Sequence, residues 1–134
     1  MPRIRMTVNQ FVAVAKRAVD ELPAQFHPHL KNLVVDVVDW PSRRDLERFD
    51  DEMELLGLFE GSSLLDEGNI THPKRIRLFR RNLEAASRNR DDLVCHIQET
   101  VVHEIAHHFG MTEEDLEPFE RAMEERRRTL FGDE

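Results

Sequence analysis

Two histidines and a glutamate with the spacing of a metal-binding helix lie in the C-terminal part of the chain. His103, Glu104 and His107 form the motif H-E-x-x-H, in an apolar segment that ends at Gly110. Side chains four residues apart lie on the same face of an α-helix, so the two imidazoles can converge on one ion. Two neutral imidazoles suit Zn²⁺ and leave positions for a third ligand and for water. Glu104 is then placed to act as general base toward that water.

A five-residue motif also arises by chance, on a helix whose histidines are simply exposed or packed. The surrounding sequence favours the metal-binding interpretation, because one side of the segment carries an apolar stripe at helical spacing: Leu93, Val94, Ile97, Val101, Ile105 and Phe109. The motif histidines lie on a different face. The pattern predicts an amphipathic helix that begins at a cap on Asp91 or Asp92 and runs to about Phe109. Cys95, within it, is interpreted as a core residue.

The glycine after the motif indicates where a third metal ligand would be found. A glycine just past a helix can adopt the left-handed conformation and turn the chain back. In the longer motif H-E-x-x-H-x-x-G-x-x-H, that turn brings a third ligand to the metal. The equivalent position here is Glu113. Thr112 followed by acidic residues is also a typical helix start, which needs no metal. The alternative carboxylate ligands are Glu114, Asp115, Glu117, Glu120 and Glu124.

The stretch from His103 to Glu113 resembles the core of the small bacterial zincin-like metallopeptidase family, a minimal relative of the metzincins. The resemblance covers most of the chain, because four other segments are also similar: residues 21–23, 32–35, 56–61 and 75–80. It implies an α+β zincin-like fold, in which a small mixed β-sheet packs with helices and one helix carries H-E-x-x-H. Members usually have Asp at the third-ligand position, where this chain has Glu113.

Composition limits the class of protein. With 134 residues, of which 40% are hydrophobic, the chain suits one domain over residues 1–134. Its net charge of -8 argues against nucleic acid and against anionic lipid as partners. One cysteine excludes an internal disulfide, and neither a secretory signature nor a membrane-length apolar stretch is recognised. We therefore expect a cytoplasmic protein.

Hydrophobic periodicity predicts the elements before the motif helix. Residues 7–22 form an amphipathic helix whose capping box begins at Thr7, and residues 25–30 form a connector interrupted by Pro28. A buried strand follows at 33–39, and the charged stretch 42–54 is a short helix or a loop. Residues 55–60 form a second strand, and 61–74 form a loop.

Three elements accompany the motif helix. Residues 75–80 are predicted to form a strand at an edge of the sheet. The resemblance to zincins implies that an edge strand borders the cleft, and if this is that strand, an extended substrate would pair with it. The alternative is an edge whose arginines only protect it against aggregation. A short helix is expected at 82–89. The last helix begins near Thr112 and has its apolar positions at Leu116, Phe119, Met123 and Leu130.

The sequence therefore predicts a zinc-dependent metallopeptidase that hydrolyses peptide bonds in a peptide or protein substrate. His103, His107 and Glu113 are the expected zinc ligands, and Glu104 is the general base. The chain has no tyrosine, so a tyrosine cannot stabilise the oxyanion, and His72, His108 or an arginine is left for that role. The alternative is a non-catalytic metal-binding or protein-interaction module that retains the zincin fold.

Overall fold

The computed structural model describes residues 4–48, 55–60 and 74–132. Predictions for residues 49–54 and 61–73, including a role for His72, lie outside these ranges. The elements, in chain order, are α1 (Val8–Asp20), a 3₁₀ helix (Ala24–Leu30), β1 (Val34–Val38), α2 (Arg43–Arg48), β2 (Gly57–Glu60), β3 (Arg75–Phe79), α3 (Arg80–Ala85), α4 (Arg90–Phe109) and α5 (Glu113–Phe131).

The three described strands form a mixed sheet in the order β1-β3-β2, which confirms the predicted α+β class. β1 runs parallel to β3, whereas β2 runs antiparallel to it. The prediction that residues 75–80 form the edge strand is therefore wrong. The cause is visible in the side chains of β3, because Ile76, Leu78 and Phe79 are all fully buried. β3 pairs with a strand on each side, and among the described strands β2 lies at an edge instead.

The first strand is less buried than its apolar sequence predicts. Residues of β1 are exposed or half-buried, and Val34 keeps 41% of its surface exposed. β1 lies at the other margin of the described sheet and pairs with β3 alone among the described strands. Its β-branched residues therefore pack against α1 on one side and face outward on the other.

Helix α1 packs against α4, and both helices contact the sheet. The predicted capping box is confirmed: the Thr7 hydroxyl accepts from the Gln10 amide at 3.1 Å, and the Gln10 side chain accepts from the Thr7 amide at 2.9 Å. Phe11, Ala15 and Ala18 are fully buried along one face of α1. A helix with such a stripe is held by burial of that face and not by propensity alone.

The connector after α1 is more regular than predicted, because Pro28 lies inside a 3₁₀ helix. Two buried residues, Phe26 and Leu30, anchor this helix to the core. The His27 ring lies 2.8 Å from the Leu22 carbonyl oxygen. Proline lacks an amide hydrogen, but its fixed φ suits a helical turn, so a short 3₁₀ helix anchored by apolar residues tolerates it. No helix of the described residues is long and apolar enough to cross a membrane.

Two predicted helix starts are shifted. α3 begins at Arg80, directly after β3, and not at residue 82. The cap of α4 is Asn89, whose side-chain oxygen accepts from the Asp92 amide at 2.9 Å, so neither Asp91 nor Asp92 is the cap. The Asp92 carboxylate instead accepts from the Arg88 amide at 2.9 Å. Asparagine and aspartate are equally good caps, so composition alone could not choose between neighbouring positions.

Helix α5 is joined to α4 by two arginines near its C-terminal end. Arg127 donates to Asp92 at 2.9 Å and also to Glu99. Arg126 donates to the side chain of Gln98, which is fully buried in α4. Phe119 and Met123 are buried as predicted, but Leu130 is 41% exposed because it lies beyond the end of this contact.

The ion pair between Asp92 and Arg127 makes stability depend on pH. Burial alone would raise the pKa of Asp92, but hydrogen bonds from the Arg88 amide and from Arg127 hold it below its ordinary value. A lowered pKa in the folded state contributes stability above the unfolded value of about 3.9, and this contribution is lost as pH falls through the folded value. We expect Arg127→Met to lower the free energy of unfolding by about 1–3 kcal/mol at neutral pH, because the hydrogen bond from Arg127 to Asp92 is lost. The loss is limited because Asp92 keeps the hydrogen bond from the Arg88 amide.

The measurement is urea unfolding between about pH 2 and pH 7, with the full loss above about pH 4 and a smaller loss as pH falls below that value. Arg128→Met is the matched control, because Arg128 pairs with the exposed Glu124 on the same helix at 3.3 Å. An equal loss for Arg127→Met at both ends of the pH range would contradict the assignment.

Candidate metal and catalytic site on helix α4

The two motif histidines lie one turn apart on the exposed side of α4. His103 and His107 are both exposed, whereas Val101, Ile105 and Phe109 of the apolar stripe are buried. The predicted amphipathic pattern of this helix is therefore confirmed. Among the described residues, neither imidazole has a hydrogen-bond partner, so both rings keep their nitrogen atoms available. Two such rings at helical spacing fit the donor chemistry of zinc.

Glu104 faces the edge of the sheet. It follows His103 by one residue and is therefore rotated by about 100° around the helix. The carboxylate is half-buried and accepts a hydrogen bond from the backbone amide of Phe59 in β2. Burial raises the pKa of Glu104 above its ordinary value, while His103, His107 and the Phe59 amide act in the opposite direction. A carboxylate with a raised pKa is a better proton acceptor near neutral pH than an exposed one.

The direction of the Phe59 amide follows from strand pairing. The Leu56 carbonyl accepts from the Phe79 amide of β3 at 3.0 Å. Alternate residues of an antiparallel strand turn their backbone groups toward the partner, so Phe59, three residues later, turns its groups away from β3. That side of β2 faces α4 and Glu104. β2 therefore borders the site in the way that the sequence predicted for residues 75–80.

A glycine lets β2 approach α4 closely. A Cβ atom added at Gly57 would lie 2.9 Å from the Thr100 side chain and 3.1 Å from the Arg77 carbonyl oxygen. Both distances are below ordinary van der Waals contact. Gly57 is a site residue that the sequence analysis missed. A glycine inside an apolar strand pattern was the available signal, because it often marks a close backbone approach.

His108 packs against the aromatic side chain of β2. It is half-buried, and its ring centroid lies 4.2 Å from that of Phe59 and 5.1 Å from that of Phe109. The Phe59 and Phe109 rings are 5.7 Å apart in an edge-to-face arrangement. These contacts hold Phe59 against the end of α4. A role for His108 at an oxyanion stays a prediction.

The turn after α4 has the predicted geometry. Gly110 has φ 64° and ψ 38°, which is the left-handed conformation. Thr112 then caps α5, and its amide donates to the Asp115 carboxylate at 3.0 Å in a capping box. Asp115 is therefore engaged in the helix start. The carboxylates of Glu113 and Glu114 are exposed.

The predicted third ligand, Glu113, does not form a group with the two histidines in the described part of the chain. Over residues 4–48, 55–60 and 74–132, no three His, Cys, Asp or Glu side chains form a group able to hold a metal ion. Glu113 is placed at the first turn of α5, where the helix dipole also favours a carboxylate. Its role as a ligand, and those of the alternative carboxylates on α5, stay predictions.

Comparison with known proteins identifies the family. The sequence matches the zincin-like metallopeptidase family over residues 30–123, which extends from before β1 into α5 and includes the motif. No curated protein matches the chain at a significant level. This chain belongs to the zincin-like metallopeptidase family, which confirms the resemblance and the fold class inferred from the sequence.

The close contact at Gly57 can be tested by adding one methyl group. We expect Gly57→Ala to lower the free energy of unfolding by about 1–3 kcal/mol, as overpacking does, because its Cβ would overlap Thr100. Thr100→Ser removes the methyl group that the new Cβ would meet. The double variant should therefore recover part of the stability that Gly57→Ala loses. Urea unfolding of the two single variants and the double variant measures this coupling, and strict additivity would contradict it.

Proposed function

We propose that the protein is a zinc-dependent metallopeptidase. One observation carries the proposal: two exposed histidines with available ring nitrogens lie beside a half-buried glutamate, in a chain of the zincin-like metallopeptidase family. His103 and His107 would hold the ion, and Glu113 is the proposed third ligand. When bound, zinc would polarise the substrate carbonyl and lower the pKa of water.

Glu104 is the proposed general base. Its carboxylate would accept a proton from the attacking water and later deliver that proton to the leaving amine, so that the peptide bond is replaced by a carboxylate and an amine. The raised pKa of Glu104 suits both steps. The Phe59 amide would fix the orientation of the carboxylate, because a hydrogen bond to one oxygen limits its rotation.

The proposed substrate is an extended segment of a peptide or protein. β2 has β3 as its sheet partner on one side, and it also contacts α4, the helix that carries the two histidines. The Phe59 amide on the side away from β3 is bound by Glu104, so an added peptide would pair with the other outward backbone groups of β2, such as the Phe59 carbonyl, and lie across the site. Backbone pairing of this kind binds many sequences, so side-chain selection must come from neighbouring surfaces.

A non-catalytic metal-binding module is the second candidate. The observation that supports it is the same pair of exposed histidines, which would hold a metal ion whether or not a reaction takes place there. The two candidates differ in the role of Glu104, since a module that only binds metal needs no general base.

The first experiment measures zinc in the purified protein by elemental analysis. We expect near-stoichiometric zinc in the wild type and none in His107→Ala, because one imidazole cannot hold the ion. Removing an outer partner of a zinc ligand costs roughly 10–100-fold in affinity, so Glu113→Ala, as loss of a direct ligand, should cost at least about 100-fold. Glu117→Ala, Glu120→Ala and Glu124→Ala are the comparison set. A larger loss in one of these three would transfer the ligand role to it.

The second experiment separates catalysis from metal binding. Glu104→Gln should retain zinc but lower kcat/KM for peptide hydrolysis by at least about 100-fold, the usual contribution of a general base. Glu125→Gln makes the same chemical change at an exposed position of α5 and is the control. Peptide hydrolysis is followed by mass spectrometry. Full activity in Glu104→Gln would remove this residue from the mechanism, and no hydrolysis by the zinc-loaded wild type would favour the non-catalytic candidate.

A further inference from the structure

A groove runs between α4 and α5, directly beside His103. It encloses about 520 Å³, which is within the range of about 300–1,000 Å³ typical of ligand sites. Its apolar lining comes from one residue of α4 and three of α5: Val102, Leu116, Phe119 and Met123. Its polar lining consists of His103, three carboxylates and one arginine: Glu99, Glu120, Glu124 and Arg127.

The groove and β2 lie on opposite sides of the motif histidines. Val102 precedes His103 and Glu104 follows it, so their side chains leave α4 at about 100° to either side of His103. Val102 lines the groove, and Glu104 contacts Phe59 of β2. A peptide whose reacting bond lies at the histidines therefore has this groove next to it.

The charges around the groove leave one carboxylate uncompensated. Arg127 is shared by Glu99 and Asp92, and Glu124 is paired with Arg128 at 3.3 Å. Within the described parts of the chain, Glu120 has no ion-pair partner. The whole protein carries a net charge of -8, which also attracts basic peptides at long range.

We propose that this groove binds a lysine or arginine side chain of the substrate, at a residue flanking the bond to be cleaved. The inference rests on the proposed peptidase function and adds the substrate class. Long basic side chains bury their aliphatic stems on apolar surface and keep the charged head at its edge. The apolar residues of α5 would contact the stem, and Glu120 would receive the charged head. Glu120 is therefore the specificity-determining residue.

Pairs of peptides that differ at one position test this proposal. One peptide carries lysine and the other norleucine, which keeps the four-carbon chain but lacks the ammonium group, and each position flanking the cleaved bond is examined in turn. We expect about a fivefold higher kcat/KM for the lysine peptide at one position, since a partly exposed ion pair contributes at most about 1 kcal/mol. The preference should decline with added salt because the charges are exposed.

Three variants assign the preference to Glu120. Glu120→Gln should bring the lysine peptide down to the level of the norleucine peptide while zinc content is retained. Glu120→Lys should reverse the order between peptides carrying lysine and glutamate. Glu125→Gln, an equal change at an exposed position of α5 that does not line the groove, should keep the preference. Loss of zinc in Glu120→Gln would make Glu120 a metal ligand and overturn the proposal, as would an unchanged preference in that variant.

Binding is measured separately, so that the two proposals can fail independently. Dissociation constants of the same peptides are determined on the Glu104→Gln protein by isothermal titration calorimetry. Tighter binding of lysine peptides without hydrolysis by the wild type would refute the peptidase function and support the groove assignment. Hydrolysis by the wild type, with equal affinity for the lysine and norleucine peptides, would support the peptidase function and refute the groove assignment. Concentration-dependent dimerisation that Glu120→Gln abolishes, seen by sedimentation, would assign the groove to a second copy of the chain and also overturn the proposal.

Discussion

The site depends on the close approach of β2 to α4. Gly57 provides it, because a side chain there would overlap Thr100 and the Arg77 carbonyl group. Two residues further along β2, the Phe59 amide reaches the Glu104 carboxylate and the Phe59 ring packs on His108. Burial raises the pKa of Glu104, and the hydrogen bond from Phe59 opposes that shift. The environment of the Glu104 carboxylate is therefore formed by β2 and α4 together.

Helix α4 has different neighbours on each of its sides. One side is buried against α1 and the sheet, and another is tied to α5 through Arg127 and Gln98. The side between β2 and the groove remains exposed and carries His103 and His107. The apolar stripe that fixes the helix in the core therefore also fixes where the imidazoles point. One face of α4 is therefore packed in the core, and another face carries the two candidate metal ligands.

The local features could be read from the sequence because each has a short-range cause. The apolar period of α4, the left-handed Gly110 and the capping box at Thr112 all depend on residues a few positions apart. The place of β3 in the sheet depends on pairing between distant segments, which periodicity does not encode. The contact between Phe59 and Glu104 also joins segments that are distant in the sequence, so periodicity does not predict it. The motif spacing predicts Glu113 as a ligand, but spacing along the chain does not determine how the turn at Gly110 directs α5.

The place where α4 ends has an electrostatic consequence for the ion that its histidines would hold. The helix stops at Phe109, so His107 lies in its last turn, where the backbone carbonyl dipoles give the terminus a partial negative charge. A cation there gains about 0.3–1 kcal/mol at an exposed helix end. This contribution comes from peptide groups and not from side chains. Some affinity for divalent cations would therefore belong to the backbone of α4 itself, whichever carboxylate completes the set of ligands.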